Sequence, residues 1–300
     1  MDKIRTYNEL IMLQSLPLDI KIAKSKQRIR ETINEFGIEH CYVSYSGGKD
    51  SEVMSHLIMQ EYPEILHIFA NTTVEYPETY ERVREKKNEC NLIKIKPKMN
   101  FKQVVEKYGY PMFSKKIAGN IRTYRNARSQ KVKENSYKYM KKHREKYIDY
   151  LDCPFSDMCC SKLKHGELQK YSKKNGYECS FVGMMAEESQ QRKDSWLSNG
   201  CNAFGRKGEK QSRPLMFWTE KDIWDYISFY NLKVNKLYSL GYKRNGCMYC
   251  GFGVQHEFPI NRIQRLSQTH LGAYQVFLRN YSKYFDMTGI DYKHIQISMF

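Results

Sequence analysis

No stretch of about 18 consecutive apolar residues occurs in the 300-residue chain, which excludes a transmembrane helix. No apolar leader follows Met1-Asp2-Lys3-Ile4-Arg5, so export is not expected and the sequence reads as cytoplasmic. No internal repeat and no low-complexity tract interrupts it. A hydrophobic content of 41% with 28% charged residues rules out wholesale disorder and a collagen-like chain. Acidic residues are in short supply: 33 Asp and Glu stand against 50 Lys and Arg, a net charge of +17. That surplus favours a polyanionic partner such as a nucleotide or nucleic acid. At 35.8 kDa the chain has room for one large or two small domains. With export not expected, its nine cysteines read as metal ligands or catalytic thiols rather than a disulfide framework.

Periodicity divides the chain into three parts. Residues 1–36 read as helical, broken at Leu16-Pro17-Leu18. Residues 37–230 alternate apolar strands (40–45, 65–70, 92–95, 179–183) with helical patterns (after 51, 78–87, 101–108, and from Thr219 and Asp222). Such alternation predicts an α/β fold, a parallel twisted sheet with helices on both faces. A basic insertion occupies about 115–146, and residues 231–300 form a cysteine-bearing C-terminal region.

The first strand runs into Ser46-Gly47-Gly48-Lys49-Asp50-Ser51 and then a helix. Adjacent glycines at a strand–helix junction let backbone N–H groups approach an anion at the helix N-terminus. Neither the Walker spacing nor a Rossmann G-x-G-x-x-G is present. The alternative is an ordinary tight turn, which does not account for the flanking Ser, Lys, Asp and Ser.

This hexapeptide resembles the signature of the PP-loop ATP pyrophosphatases, adenine nucleotide alpha-hydrolase-like proteins that cleave ATP between the α and β phosphates. The resemblance implies that Ser46, Gly47, Gly48, Lys49, Asp50 and Ser51 hold ATP and pyrophosphate. Lys49 would neutralise charge and Asp50 would place Mg2+, the two catalytic assignments. Further segments resemble the 3′-phosphoadenylyl-sulfate (PAPS) reductase family within that superfamily: Asn71–Thr79, Gly183–Arg192 and Arg213–Trp224. Through these, Thr73 and Arg192 join the nucleotide site by resemblance, while Trp218 and Trp224 read as core packing. Two departures stand out. Met185 occupies the place of a family arginine, and the reductases' Glu-Cys-Gly-Leu-His segment is absent, with no cysteine after Cys250.

Cys159-Cys160 and Cys247-Met248-Tyr249-Cys250 lie 86 residues apart. A C-x-x-C lets two thiolates converge on one centre. The doublet and distant C-x-x-C resemble the iron–sulfur type of sulfonucleotide reductase, which implies a [4Fe-4S] cluster on Cys159, Cys160, Cys247 and Cys250. Structural zinc and a redox dithiol remain alternatives. Cys153 is close enough in sequence to replace one of the doublet or to carry a persulfide.

Between 115 and 146, twelve Lys and Arg face only Glu134 and Glu145, with tyrosines interleaved. Cations along a backbone and rings that stack on bases suit nucleic acid, with Arg122, Tyr124, Arg125 and Arg128 as contacts. A solvated surface helix is the alternative. The combined expectation is an ATP pyrophosphatase that adenylates a nucleic-acid oxygen, in tRNA or DNA, for sulfur incorporation. A cysteine desulfurase is a candidate sulfur donor. A sulfonucleotide (APS/PAPS) reductase and a non-catalytic nucleotide-binding scaffold are the other readings.

Overall fold

The computed structural model describes residues 5–204 and 210–293. Residues 1–4 of the N-terminal segment and the end of the chain from His294 lie outside the described residues. Among the described residues there are eight strands: β1 Cys41–Tyr45, β2 Leu66–Ala70, β3 Leu92–Ile95, β4 Met112–Phe113, β5 Cys179–Val182, β6 Asn202–Ala203, β7 Lys210–Ser212 and β8 Gly251–Phe252. Six form one sheet in the order β3-β2-β1-β5-β7-β6. Its pairings are parallel except at the edge, where β6 runs antiparallel to β7. The α/β parallel sheet expected from the alternating pattern is therefore present, with an antiparallel edge strand added.

The sequence suggested consecutive segments, whereas the chain divides into two interleaved units. The first comprises the residues through Ala70, Pro77–Ile95 and Leu168–Asn245. The second comprises Asn71–Tyr76, Lys96–Glu167 and the residues from Gly246 onward. The N-terminal helices Tyr7–Gln14 and Leu18–Phe36 belong to the sheet unit rather than standing apart.

Alternation along β1 buries both faces of that sheet. Val43 packs with Val53, Leu57, Phe181 and Trp218, while Tyr42 packs with Ile68 and Leu168. Thr219 caps the helix Glu220–Phe229 in a capping box with Asp222. Asp222 also takes the buried Lys21 ammonium at 2.6 Å, tying Leu18–Phe36 to that helix. Trp218 is fully buried and donates to Ser25 Oγ at 2.9 Å, as core packing requires.

A second buried polar group lies on β2. His67 Nε2 meets Ser55 Oγ at 2.8 Å and Nδ1 meets the Ile65 carbonyl at 3.1 Å. The carbonyl can only accept, so Nδ1 carries a proton. Burial pushes the His67 pKa down to about 4, aided by Lys86. The unfolded chain therefore binds a proton near pH 6.5 that the folded chain refuses until about pH 4. Stability from this group is complete above pH 6.5 and falls as the pH drops toward 4, by about 3 kcal/mol. Denaturant titrations at several pH values should show a shallower decline for His67→Gln than for wild type across that window. Parallel curves would contradict the assignment.

Candidate functional site

In the sheet unit, β1 ends at Tyr45 and only three residues separate it from the helix Lys49–Met59. So short a junction needs a left-handed residue, and Gly47 supplies it at φ 74°. A Cβ on Gly47 would lie 3.1 Å from Thr79 Cγ2, and one on Gly48 would lie 3.3 Å from Asn245 Cβ and Tyr238 Oη. The loop is therefore enclosed as well as turned. Ser51 Oγ donates to the Gly48 carbonyl at 2.8 Å and lies 3.0 Å from Ser46 Oγ, closing the turn on itself.

Residues beyond the motif hold the loop from outside. Asn245 Nδ2 donates to the Ser46 carbonyl at 2.9 Å. Asn235 Nδ2 donates to the Gly47 carbonyl at 3.2 Å and to Thr79 Oγ1 at 3.0 Å. Thr79 Oγ1 in turn donates to Asn245 Oδ1 at 2.8 Å. Gly183, at the end of β5, passes so close that a Cβ there would sit 2.8 Å from the Asp50 carbonyl oxygen. With the carbonyls turned outward to these amides, the N–H edge of the turn is left for an anion.

Two of those N–H groups already have acceptors. Lys49 N–H donates to Tyr238 Oη at 2.8 Å, and Gly48 N–H to Ser46 Oγ at 3.4 Å. Hydroxyls thus stand where phosphate oxygens would accept. Trp224, expected in the core, is 37% exposed and packs edge-on against the Tyr238 ring. Lys49 is buried, with Nζ 3.0 Å from Asp50 Oδ1 and 3.5 Å from Glu220 Oε1. Arg192 hydrogen-bonds Glu188, and burial lowers its pKa while Asp50 opposes that effect. Lys49, Asp50 and Arg192 thus share one electrostatic neighbourhood. Met185 is buried in the core, so no charge replaces the family arginine there.

Both ends of the loop are fixed by one buried carboxylate. Glu52 accepts from Tyr45 Oη at 2.6 Å, from Arg82 Nη2 at 2.8 Å and from Lys86 Nζ at 2.8 Å. Arg82 and Lys86 lie on the helix Pro77–Glu89, which also carries Thr79.

Thr73 belongs to the second unit. It adopts φ 71°, and its hydroxyl accepts from Phe101 N–H at 3.1 Å. The same unit gathers the cysteines. β4 pairs with β8, and Tyr110 bridges to Phe155, bringing the segments around 155 and 250 together. Cys159 and Cys160 sit in one helical turn with sulfurs 3.9 Å apart. Cys250 N–H donates to the Cys247 carbonyl at 3.2 Å, the turn expected of C-x-x-C. Cys247 bridges to Glu75, and its sulfur lies 3.3 Å from Thr72 Oγ1.

The thiols act on one another. The Cys159 pKa is pushed up by its hydrogen bond to Cys160, by burial, and by Cys160, Cys250 and Cys247. Cys160 is pushed down to about 6 by the bond from Cys159, with Lys115 and Lys164 adding to it against burial. Cys153 has different company: burial and Asp152 raise its pKa and Arg125 lowers it. Among the described residues, no three Cys, His, Asp or Glu side chains stand together closely enough to hold one ion. A single tetrahedral zinc needs every sulfur about 3.8 Å from the others, by its bond length.

The basic insertion folds as two helices, Lys115–Asn126 and Gln130–Arg144, packed through Ile117, Ile121 and Met140. Arg122 Nε meets Asp157 at 2.7 Å. Arg125 donates to the carbonyls of Cys153 at 2.5 Å and Tyr108 at 3.0 Å. These two arginines hold the segment leading into the cysteine doublet. Arg128 is exposed, and Lys133 Nζ lies 5.2 Å above the Tyr124 ring.

Strand, glycine turn and enclosed helix start give an α/β fold of the adenine nucleotide alpha-hydrolase-like kind. The model of the phosphoadenosine phosphosulfate reductase domain matches residues 40–116 and 112–251, and the chain belongs to that family. It is 26% identical over 72% of its length to an uncharacterized protein of Methanocaldococcus jannaschii, of which it spans 42%. It is 24% identical to an adenosine 5′-phosphosulfate reductase of Halalkalibacterium halodurans, covering 77% of this chain and 83% of that one. A phosphoadenylyl-sulfate reductase structure from Candida auris superposes with a TM-score of 0.48 at 18% identity, over 81% of this chain and 96% of that one.

Proposed function

We propose that the protein is an ATP pyrophosphatase that adenylates an oxygen of a nucleic acid, a tRNA base carbonyl or a DNA phosphate, so that sulfur can replace it. The enclosed Ser46–Ser51 turn carries this reading, because its shape and charge suit the β and γ phosphates of ATP. The acceptor oxygen attacks the α-phosphorus, and the bond to the bridging oxygen breaks. Pyrophosphate leaves with the bonding pair into the turn, where Lys49 and the backbone N–H groups offset its charge. Asp50 would place Mg2+. Hydrosulfide then attacks the adenylated centre and AMP leaves with the bonding pair. Where a desulfurase-derived persulfide attacks instead, AMP leaves and a second thiol reduces the resulting disulfide to free the thiolated acceptor, itself becoming part of a new disulfide. Tyr238 Oη must yield the Lys49 N–H when phosphate arrives. Cys159, Cys160, Cys247 and Cys250 would hold a [4Fe-4S] cluster, which supplies one-electron or sulfur-binding chemistry when bound.

The relatives named adenosine 5′-phosphosulfate reductases, at 24–26% identity, support a second reading, reduction of a sulfonucleotide. Thiol-dependent sulfite release from adenylyl sulfate, without pyrophosphate release from ATP, would favour it.

Lys49→Ala and Asp50→Ala should each slow pyrophosphate release from ATP by about 100-fold, roughly 3 kcal/mol of lost charge stabilisation. Unchanged turnover in both variants would remove the assignment. Protein purified without oxygen should carry iron, and Cys247→Ser should lose most of it. Stoichiometric zinc with no iron would reject the cluster.

Phosphate contact must come from the outward cations, since Arg122 and Arg125 are engaged within the fold. Lys131, Lys138 and Lys142 are exposed on the second helix. Replacing these three with alanine should reduce the slope of log K against log salt by up to about three contacts at roughly 0.7–0.9 each. Filter binding of tRNA and single-stranded DNA at three salt concentrations measures it, and an unaltered slope would exclude this face.

A further inference from the structure

The two helices of the basic insertion, both in the second unit, enclose a cavity with an unusual wall. Ser136 Oγ on Gln130–Arg144 donates to the Asn120 carbonyl on Lys115–Asn126 at 3.1 Å, which ties the pair together. Tyr124, Gln130, Lys133, Glu134, Tyr137 and Lys138 line a cavity of about 230 Å³. Gln130, Glu134, Tyr137 and Lys138 recur at helical spacing, so they share one face of the second helix. Tyr124 comes from the last turn of the first.

The fold makes little use of these side chains. Tyr137 is 38% exposed and makes no ring contact or hydrogen bond among the described residues. Glu134 and Lys138 stand in the order and spacing that favour a helical ion pair, yet no such pair forms among the described residues. The one contact of the Glu134 carboxylate there is with the Gln130 amide, at 3.3 Å. Lys133 Nζ lies 5.2 Å from the Tyr124 ring centroid, so a cation already rests against one of the two rings.

We infer that this cavity takes one unpaired base of a single-stranded nucleic acid. Tyr124 and Tyr137 supply rings for stacking, Glu134 accepts from an exocyclic amino group at the base edge, and Lys133 and Lys138 meet the flanking phosphates. The volume lies below the roughly 300–1,000 Å³ of sites that enclose a whole small molecule, so it suits one ring of a longer chain. Charge agrees, since only two acidic residues oppose twelve cations between 115 and 146, and Glu134 is one of the two. A carboxylate repels phosphate but accepts well from an amino group, so its place in the wall favours reading a base edge over backbone contact alone. Duplex bases are stacked on one another and offer no free face to the tyrosines. The inference rests on the nucleic-acid part of the function proposed above and not on the adenylation step.

The test titrates the full chain, at one fixed salt concentration, with short oligomers of cytidine and of uridine, their deoxycytidine and deoxyuridine counterparts, and a duplex of equal length. Cytosine and uracil differ at the edge chiefly in an amino group against a carbonyl. Single strands should bind more tightly than the duplex, and cytosine strands more tightly than uracil strands. Tyr137→Ala should weaken single-strand binding by about fivefold or more, as loss of one stacking ring does, while Tyr137→Phe keeps it. Glu134→Gln should narrow the cytosine-to-uracil ratio, whereas a purely electrostatic effect on the backbone would change both affinities by one factor. The ribose and deoxyribose arms show whether RNA or DNA is the preferred strand. Single-strand affinity unaltered by Tyr137→Ala, or equal affinity for the two bases, would overturn the pocket and leave the nucleic-acid reading standing. Absence of binding to any of the strands would overturn both.

Discussion

The nucleotide loop depends on one buried carboxylate. Glu52 is 4% exposed and carries a charge that must be matched where it sits. Tyr45, Arg82 and Lys86 match it, and these partners determine the loop's position. Tyr45 is the last residue before the turn and Glu52 the first after it, so both ends of the hexapeptide are pinned to the helix Pro77–Glu89. That helix presents Thr79, which orders Asn235 and Asn245, and these amides take the loop carbonyls. Loss of the Glu52 charge would leave Arg82 and Lys86 with only the acidic groups of their own helix, Glu85 and Glu89, and would free the Tyr45 end of the turn.

The same arrangement explains the glycines more fully than turn geometry does. Gly47 is needed for its positive φ, and both glycines are needed because Thr79, Asn245 and Tyr238 close over them. Under the proposed function, the resulting cradle would supply preorganised dipoles for phosphate, the contribution that matters most when charge moves onto a leaving group. Tyr238 Oη, braced by Trp224, occupies part of it through the Lys49 N–H. In the proposed reaction, phosphate would take the Lys49 N–H from Tyr238 Oη, exchanging one hydrogen bond for another.

The second unit shows how a charge pattern is divided between folding and surface. Arg122, Arg125 and Arg128 recur every third residue, but the helix Lys115–Asn126 carries only the first two; its C-cap is Ala127, and Arg128 falls in the bend before the next helix. Two of them turn toward Asp157 and the Cys153 carbonyl and steady the approach to the cysteine doublet. Lysines on the following helix stay in water because nothing polar in the interior calls for them. A guanidinium with several fixed donors serves carbonyl capture better than an ammonium, consistent with arginine inside and lysine outside.

Local pattern determined a great deal about this protein. Strands β1, β2, β3 and β5, the helix capped by Thr219 and the glycine turn all follow from periodicity and from residue types whose conformational preferences are intrinsic. The family followed from short segments around those elements. The partners supplied by distant segments were not legible: Asn235, Tyr238 and Asn245 on the loop, Lys21 against Asp222, and the division of the chain into interleaved units. The antiparallel edge strand β6 and the inward turn of Arg122 and Arg125 were equally hidden. Periodicity reports which face a residue is on, but hydrogen-bond partners are set by which segments the fold brings within about 3 Å. Arg213 illustrates the limit: only tertiary packing buries its guanidinium and leaves Nε and Nη2 without a hydrogen-bond partner among the described residues.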